Sequence, residues 1–205
     1  MKYITFIIPS IGRDSLIKSV ESIIAQSDSD WSIIIIFDGV YKNIDIIDSR
    51  IKYIEIEKTG NINKMNSAGL VRNIGFKYIE DSKWIGFLDD DDTISSDYIE
   101  KLKEEEKITP NIDLCIFRMI YENGYVLPSE YERNIQRNKV GISFAIKSYV
   151  INNVQFTNNP FEDFIFLKEA QIKNYKIVIS PYITYFIKHF PHRNIKKLYP
   201  RIILR

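Results

Sequence analysis

Four consecutive aspartates, Asp89 to Asp92, are the strongest chemical feature of the sequence, and they directly follow the apolar run WIGFL at 84–88. Like charges this close repel one another unless a cation or hydrogen bonds offset them. Carboxylate oxygens are hard ligands that suit Mg²⁺ or Mn²⁺. The cluster therefore predicts a divalent cation site. The alternative interpretation is a solvated acidic turn that begins the next helix.

The segments around the aspartates alternate between strand and helix patterns. Apolar, β-branched runs at 3–8, 32–37 and 84–88 predict buried strands, and the helical spacing of Leu16, Val20 and Ile23 predicts a helix between the first two. A strand–helix–strand order implies parallel pairing. Ligands bind at the carboxyl ends of parallel strands, so the aspartates are expected at the binding edge of an α/β sheet.

The rest of the chain continues this alternation, more clearly before residue 121 than after it. Helices are predicted at 68–79, at 96–106 with Ser95 or Ser96 as the cap, and at 161–173. The other predicted strands are 50–56, 113–121, 141–146, 176–180 and 182–186. Residues 122–139 are polar and rich in turn residues, which indicates loops or a flap. No internal repeat or low-complexity linker divides the chain, so a single domain is expected.

Composition excludes several classes of protein. The 205 residues can form one good-sized core, and 45% hydrophobic with 27% charged residues is typical of a globular protein. A net charge of +1 gives no sign of a nucleic-acid partner. The one cysteine, Cys115, cannot form an internal disulfide and is expected in the core. No stretch has the length of a membrane-spanning helix or the features of a signal peptide, so a cytoplasmic location is expected.

Four segments together carry a family resemblance: ITFIIPSIGRDSLIKSVESIIAQ at 4–26, SIIIIFDG at 32–39, NSAGLVRNIGF at 66–76 and WIGFLDDDDTISSDYIEKL at 84–102. In this order and spacing they resemble the family 2 glycosyltransferases of the GT-A fold. A weaker match continues at 161–189, where Asn174 replaces the usual glycine before Tyr175.

The resemblance implies an α/β, Rossmann-like, mostly parallel sheet flanked by helices in a single domain. The catalytic domain would span 1–190, with a nucleotide-binding half at 1–110 and an acceptor-binding half at 111–190. A basic tail follows at 191–205.

A pocket for a nucleotide diphosphate-sugar, with a UDP-sugar favoured, follows from the same resemblance. Its predicted residues are Pro9, Ser10, Arg13, Asp38, Arg72, Asp89 and Asp90. Asp38 would accept a hydrogen bond from the base, and Arg72 would face the nucleotide or its phosphates, because guanidinium suits phosphate oxygens. Asp89 would contact the ribose, or the metal through water, and Asp90 has the least direct role. Asp38 could instead belong to a plain Asp-Gly turn, and Arg72 could be a surface arginine.

The metal is predicted to be Mn²⁺ or Mg²⁺. Two Asp-x-Asp registers fit the four aspartates, 89/91 and 90/92, and the family pattern favours the first. Asp91 is then the main ligand, with Asp89 and the C-terminal His189 as further ligands. Bound between two phosphates, a divalent cation stabilises the charge of the leaving diphosphate.

Catalysis needs a base, and the resemblance assigns that role to Asp163, with Glu162 as the substitute. The implied reaction is an inverting displacement, and the acceptor would be a saccharide, a glycan or a lipid-linked sugar. The pair could instead be an acidic helix start after Pro160, favoured by the helix dipole. The basic tail could bring the protein to the periphery of a membrane or could simply be a solvated segment.

Other functions fit parts of the pattern. Asp89-x-Asp91-x-Thr93 imitates the nucleophile motif of haloacid dehalogenase-type phosphohydrolases, although that motif usually lies on the first strand. A sugar-nucleotide nucleotidyltransferase would need a glycine-rich loop after the first strand, where only Gly12 is present. A binding module that kept the fold without catalysis is the non-enzymatic alternative.

Overall fold

A nine-stranded sheet runs through the residues that the structure, a computed structural model, describes: 1–40, 44–59 and 67–188. Its strands are β1 (Lys2–Ser10), β2 (Trp31–Asp38), β3 (Ile51–Ile56), β4 (Ser82–Phe87), β5 (Thr93–Ile94), β6 (Leu114–Tyr121), β7 (Val126–Leu127), β8 (Phe144–Lys147) and β9 (Ile177–Ile187). The α-helices are α1 (Leu16–Ile24), α2 (Ala68–Phe76), α3 (Tyr98–Ile108) and α4 (Glu162–Ile172), and a 3₁₀ helix covers Ser148–Asn152. The predicted α/β class, with a mostly parallel sheet in one domain, is confirmed.

The first half of the sheet is parallel, in the order β3-β2-β1-β4. All four isoleucines at 33–36 are buried, as expected for a central parallel strand that is covered on both faces. Helix α2 packs closely on this sheet at Gly75, where an added Cβ would lie 2.8 Å from side-chain atoms of both Ile7 and Ile36. The absence of a side chain at Gly75 therefore sets the depth at which α2 approaches the sheet.

The second half joins through an antiparallel strand. β8 pairs antiparallel with both β4 and β6, and β9 then runs parallel to β6. The prediction of two separate strands at 176–180 and 182–186 is wrong, because β9 is continuous through Pro181. Its pairing with β6 shifts register between Ile116 and Arg118, and this irregularity accommodates the proline, which has no N–H to donate.

Smaller differences concern the ends of helices and the shortest strands. Helix α3 begins at Tyr98 with Asp97 as the N-cap residue, so the prediction of a Ser95 or Ser96 cap is wrong. Helix α2 ends at Phe76, and the strand expected at 141–146 is β8 instead. β5 and β7 have two residues each, too few to show a periodicity in the sequence. Apart from β7, residues 122–139 form loops, as predicted.

Four phenylalanines connect the two halves below the site. Phe156 stacks on Phe166 of α4 with ring centroids 4.5 Å apart, and it meets Phe87 of β4 edge-on at 5.2 Å. Phe144 of β8 completes the group, 5.3 Å from Phe87. Aromatic pairs in these geometries add to the energy of burial. The cluster therefore fixes the start of α4 against the carboxyl end of β4.

Two sequence expectations concern burial and membranes. Cys115 is a buried free thiol, as expected, and burial raises its pKa. Among the helices of the described ranges, none combines the length and the hydropathy needed to cross a membrane. The tail at 191–205 lies outside the described residues.

Candidate active site

Strands β1, β2 and β4 are parallel, so their carboxyl ends lie at the same edge of the sheet, and two cavities open there. Asp89 and Asp91 line both cavities. The Asp38 cavity, of about 240 Å³, is further lined by Pro9, Ser10, Arg13, Asp38 and Asp90. The Asp163 cavity, of about 290 Å³, is further lined by Arg72, Met119, Gly141, Ile142, Glu162 and Asp163.

A larger cleft of about 800 Å³ lies at the opposite end of the strands, around Met1, Lys2 and Asp81. None of the predicted site residues lines it. The two cavities at the carboxyl edge are therefore the candidate active site.

Asp90 ties the ends of β1 and β4 together. Its side chain is buried, and it accepts hydrogen bonds from Ser10 Oγ at 2.7 Å, from the Ile11 N–H at 3.2 Å and from Arg13 Nη1 at 2.6 Å. Ser10 Oγ in turn accepts a bond from the N–H of Gly12, whose φ of 80° is readily adopted only by glycine. Asp90 thus shapes the wall of the Asp38 cavity by holding the loop after β1.

Asp38 is buried at the end of β2 and is held by two hydroxyl residues. Its carboxylate accepts hydrogen bonds from the Thr59 N–H at 2.6 Å, from Thr59 Oγ1 at 3.0 Å and from Ser67 Oγ at 3.1 Å. These bonds fix the carboxylate at the cavity wall. Its hydrogen bond to a nucleotide base stays a prediction.

Arg72 is a buried bridge between two carboxylates, and it lines only the Asp163 cavity. From α2, Nη2 donates to Asp89 Oδ1 at 2.5 Å and Nη1 donates to Glu162 Oε1 at 3.0 Å. Burial disfavours the charged guanidinium, but the charges of Asp89 and Glu162 outweigh it and raise the pKa of Arg72. Both terminal nitrogens of Arg72 already bind carboxylates. The contact of Arg72 with a phosphate stays a prediction.

The segment before α4 is fixed to α2 by Asn73. Nδ2 of Asn73 donates to the Phe156 carbonyl at 2.8 Å, and Oδ1 accepts from the Phe156 N–H at 2.9 Å. Gly69 allows this close approach, because an added Cβ there would lie 2.9 Å from Cγ of Glu162 and 3.1 Å from the Thr157 carbonyl oxygen. The acidic start of α4 is therefore held at a set distance from Arg72.

Glu162 and Asp163 are the first two residues of α4, where carboxylates also interact favourably with the helix dipole. Burial raises the pKa of Asp163 to about 7, with a further contribution from the negative charge of Glu162. The hydrogen bond from the Phe164 N–H at 2.6 Å and the charge of Arg72 act in the opposite direction. A carboxyl with this pKa can accept a proton near neutral pH.

Asp92 and Tyr185 complete the acidic edge. Burial, and then the charges of Asp89 and Asp91, raise the pKa of Asp92 to about 8. Tyr185 of β9 is buried, and its hydroxyl accepts a hydrogen bond from the Asp89 N–H at 3.1 Å. This hydrogen bond ties the backbone at the start of the four aspartates to β9.

The donor set at this edge fits a hard divalent cation. Asp89 and Asp91 offer carboxylate oxygens. Their negative charges add to the effect of burial in raising the pKa of Asp92, and a bound cation would offset these charges. Arginines are the present partners of both side chains: Arg72 binds Asp89, and Arg13 lies 3.1 Å from Asp91. Within the described ranges, no three His, Cys, Asp or Glu side chains converge on one point.

Most residues predicted from the sequence meet at this edge. Pro9, Ser10, Arg13, Asp38, Asp89, Asp90 and Asp91 line the first cavity, and Arg72, Glu162 and Asp163 line the second. His189, the third predicted metal ligand, lies outside the described residues. Their roles in binding and catalysis remain predictions.

Sequence reasoning missed Thr59, Ser67, Gly141 and Tyr185. Ser67 lies in the segment 66–76 and Tyr185 in the weaker match at 161–189, so the resemblance covered both without marking either as a site residue. Thr59 and Gly141 lie in none of the segments that carry the resemblance, and tertiary packing brings them to the site.

Solved structures with a similar fold include TarS of S. aureus. A structure of TarS residues 1–349 matches with a TM-score of 0.70 at 16% identity, over 92% of this chain and 60% of that one. The structure of TarS matches with a TM-score of 0.69 at 17% identity, over 92% of this chain and 37% of the other. TarS 1–349 in complex with UDP-GlcNAc gives 0.64 at 14% identity, over 94% and 60% of the two chains. At these identities the likeness shows the GT-A fold alone.

The chain therefore spans about 60% of the length of the TarS 1–349 structures. No curated protein matches the sequence significantly. The sequence pattern described as Glycosyl transferase family 2 matches residues 5–166, which is most of the chain and includes all the described site residues except Tyr185 and Ile187. By this match, with the fold and the site in agreement, the chain belongs to glycosyl transferase family 2.

Proposed function

We propose that the protein transfers a sugar from a nucleotide diphosphate-sugar to a hydroxyl group of an acceptor, with inversion at the anomeric carbon. One observation carries the proposal: Asp89 and Asp91 line both cavities, and the second cavity contains a carboxyl, Asp163, whose pKa is raised to about 7. A donor in the Asp38 cavity and an acceptor in the Asp163 cavity would meet at these two aspartates.

In the proposed step, the acceptor oxygen forms a bond to the anomeric carbon while the bond from that carbon to the diphosphate breaks. Asp163 takes the proton of the attacking hydroxyl, and the nucleoside diphosphate leaves with the electron pair of the broken bond. Burial keeps the pKa of Asp163 high, and the negative charge of Glu162, held by Arg72, adds to this effect. An attack from the side opposite the leaving group gives inversion.

Asp91 and Asp89 would hold a divalent metal, Mn²⁺ or Mg²⁺, which supplies stabilisation of the negative charge on the departing diphosphate. His189 is a further proposed ligand. Asp38 would accept a hydrogen bond from the base, and Pro9, Ser10 and Arg13 would border the nucleotide. A UDP-sugar is the favoured donor, because the TarS structures similar in fold include complexes with UDP and UDP-GlcNAc.

The same proposal assigns 1–110 to the donor and 111–190 to the acceptor. Arg72 and Asp89 lie in the first part and Glu162 in the second, and the buried bridge joins them. The acceptor would be a saccharide, a glycan or a lipid-linked sugar. A cytoplasmic enzyme with its basic tail at a membrane surface would suit the last of these.

A thermal-shift measurement with UDP-sugars and Mn²⁺, followed by assay of UDP release, tests the function. A donor at about 100 times its Kd should stabilise the fold by about 2.7 kcal/mol. Asp91→Asn should remove both the shift and the UDP release, because it deletes the main metal ligand. Asp81→Asn is the matched control, since that exposed aspartate lies at the opposite end of the strands.

The alternatives predict other outcomes. A haloacid dehalogenase-type enzyme would release phosphate from a phosphomonoester and form a phosphorylated Asp89, and a non-catalytic module would bind the donor without releasing UDP. If no nucleotide-sugar shifts the melting temperature with any divalent ion, the proposed function is wrong.

A further inference from the structure

The Asp163 cavity and the Asp38 cavity are lined by largely different residues. Among the described residues only Asp89 and Asp91 line both, so a donor that fills the first cavity leaves the second free for the group that attacks it. With about 290 Å³, the Asp163 cavity lies at the small end of the range of roughly 300–1,000 Å³ seen for ligand pockets. That size suits one saccharide unit at a time.

Acidic groups predominate around this cavity. Five carboxyl groups line it, and these are Asp89, Asp91, Asp92, Glu162 and Asp163. All five share the lining of one cavity of about 290 Å³, so carboxylates here repel one another. A further negative charge on a bound molecule would add to this repulsion in a partly desolvated space.

The cation in the lining cannot offset such a charge. Arg72 is the only basic residue that the cavity lining contains within the described part of the chain, and its side chain is 2% exposed. Its two terminal nitrogens donate to Asp89 and Glu162. Its Nε–H has no hydrogen-bond partner among the described residues, but the atom is buried from solvent. A metal at Asp89 and Asp91 would be engaged by the diphosphate of the donor, so an incoming carboxylate or phosphate would find no accessible cationic side chain in the described lining.

The lining also has an apolar part, which consists of Met119, Ile142, Pro160, Ile187 and the ring of Tyr121. Sugars present C–H faces that pack on such surfaces, while their hydroxyls bind carboxylates. An uncharged hexose therefore matches both the acidic and the apolar residues of the lining, whereas the negative charge of a uronate or a sugar phosphate matches neither.

We propose that the unit of the acceptor that enters the Asp163 cavity and carries the attacking hydroxyl is a saccharide with no carboxylate, phosphate or sulfate group. This inference rests on the proposed function and adds the chemical class of the acceptor. Groups further along an acceptor chain lie beyond the cavity and are not constrained by it.

Gly141 gives a way to locate the binding. An added Cβ at this position would lie 2.4 Å from Cε of Met119 and 3.7 Å from Oδ2 of Asp163. Gly141→Ala is tolerated by the backbone, since its φ is not in the left-handed region, but it must displace the end of the Met119 side chain. The variant changes the Asp163 cavity without touching a residue that lines the Asp38 cavity.

The test compares matched ligand pairs on the full chain loaded with UDP and Mn²⁺. Binding of methyl glucoside against methyl glucuronide, and of methyl galactoside against methyl galacturonide, is measured by saturation-transfer NMR titration. In at least one pair the neutral glycoside should bind ten times more tightly or better than its uronide, and in neither pair should the uronide bind more tightly. Gly141→Ala should weaken the binding of that glycoside several-fold while the affinity for UDP stays unchanged.

Equal binding within both pairs, tighter binding of a uronide, or a glycoside affinity that ignores Gly141→Ala would overturn the inference. These outcomes leave the proposed function standing as long as a UDP-sugar binds and UDP is released. Failure of UDP-sugar binding itself, read from the thermal shift, overturns the proposed function and the inference with it.

Discussion

The two cavities of the site share Asp89 and Asp91 but are built in different ways. The Asp38 cavity is formed by the ends of parallel strands, the loops that follow them and the start of α2, and its described residues all lie between 9 and 91. The Asp163 cavity collects residues between 72 and 187, from α2, β6, α4 and β9. The first depends on local sequence and the parallel register, and the second depends on long-range packing.

The electrostatics of the two cavities also differ. In the Asp38 cavity, hydroxyl, N–H and guanidinium donors bind the carboxylates of Asp38 and Asp90, which fixes their geometry. In the Asp163 cavity, burial and like charges raise the pKa of Asp92 and Asp163 towards neutrality. The Asp38 cavity is thus suited to holding a ligand, and the Asp163 cavity is suited to moving a proton.

The largest expected effect comes from Asp163→Asn. If Asp163 is the base, its loss should lower the rate of sugar transfer by about 10²–10⁴-fold while donor binding persists. In the unaltered protein kcat should rise with pH and level off above about 7, because the base acts only when deprotonated. Steady-state assays between pH 5 and 9 measure both effects.

Glu169→Gln is the control for this variant, because Glu169 lies in the same helix and forms an exposed pair with Lys173. Its rate should stay within about twofold of the unaltered protein, as surface substitutions change little. Equal losses in Asp163→Asn and Glu169→Gln would show that α4 matters only as a structural element.

The next largest effect is on stability, through the buried bridge. Arg72→Ala should lower the free energy of unfolding by about 3–5 kcal/mol, because Asp89 and Glu162 lose their shared cation. Arg72→Lys should recover only part of this, since one ammonium group cannot reproduce the planar fork. Urea denaturation measures the differences.

Arg50→Lys is the matched arginine control. Arg50 also binds a carboxylate, that of Asp48 at 2.6 Å, but this pair is partly exposed to solvent. Its loss should cost less than about 1 kcal/mol. If Arg72→Lys and Arg50→Lys lose similar stability, the buried bridge of Arg72 to Asp89 and Glu162 has no special role.

The sequence predicted the Asp38 side of this comparison well because its signals are local. The apolar runs of β1, β2 and β4 end at Ser10, Asp38 and the four aspartates, and parallel strands must bring these ends together. The register could not be read from the sequence, but it was not needed for that conclusion.

The Asp163 side was predicted less well. Arg72 and Glu162 are 90 residues apart, and their contact depends on the approach of the segment before α4 to Gly69 and Asn73. The hydroxyl of Tyr185 reaches Asp89 across 96 residues because β9 pairs with β5, which directly follows the four aspartates. Such contacts arise from tertiary packing, and no spacing in a single sequence encodes them.

A smaller effect links the raised pKa of Asp163 to stability. Its pKa is about 7 in the folded state and 3.8 in the unfolded state, so between these values the folded state binds more protons. The free energy of unfolding must then fall as pH rises across this window. Asp163→Asn removes this loss and should be more stable than the unaltered protein at pH 8, by about 1–3 kcal/mol after allowance for solvent screening.

At pH 4 the same two proteins should be nearly equal in stability, since the carboxyl is then protonated in the folded state. Thermal melts at the two pH values test this, with Asp81→Asn as an exposed control that should show no such gap. A gap that stays constant with pH would mean that the asparagine stabilises by packing rather than by loss of charge.

The smallest expected effect separates the two cavities most directly. Asn73 makes two hydrogen bonds with the backbone of Phe156, and it lines neither cavity. It therefore acts as a positioning residue for Glu162 and Asp163. Asn73→Ala leaves a buried N–H and a carbonyl without partners, which should cost about 1–3 kcal/mol. Transfer kcat should fall about tenfold, while the Kd for the donor should not change, because the Asp38 cavity depends on other contacts.

Asn73→Asp sharpens the result, because it keeps the acceptor for the Phe156 N–H and loses the donor to the Phe156 carbonyl. If the segment before α4 positions the base, kcat should decrease in the order asparagine, aspartate, alanine at constant donor affinity. A parallel loss of donor affinity would contradict this, since it would mean that α2 transmits the change to both cavities and that their independence is only geometric.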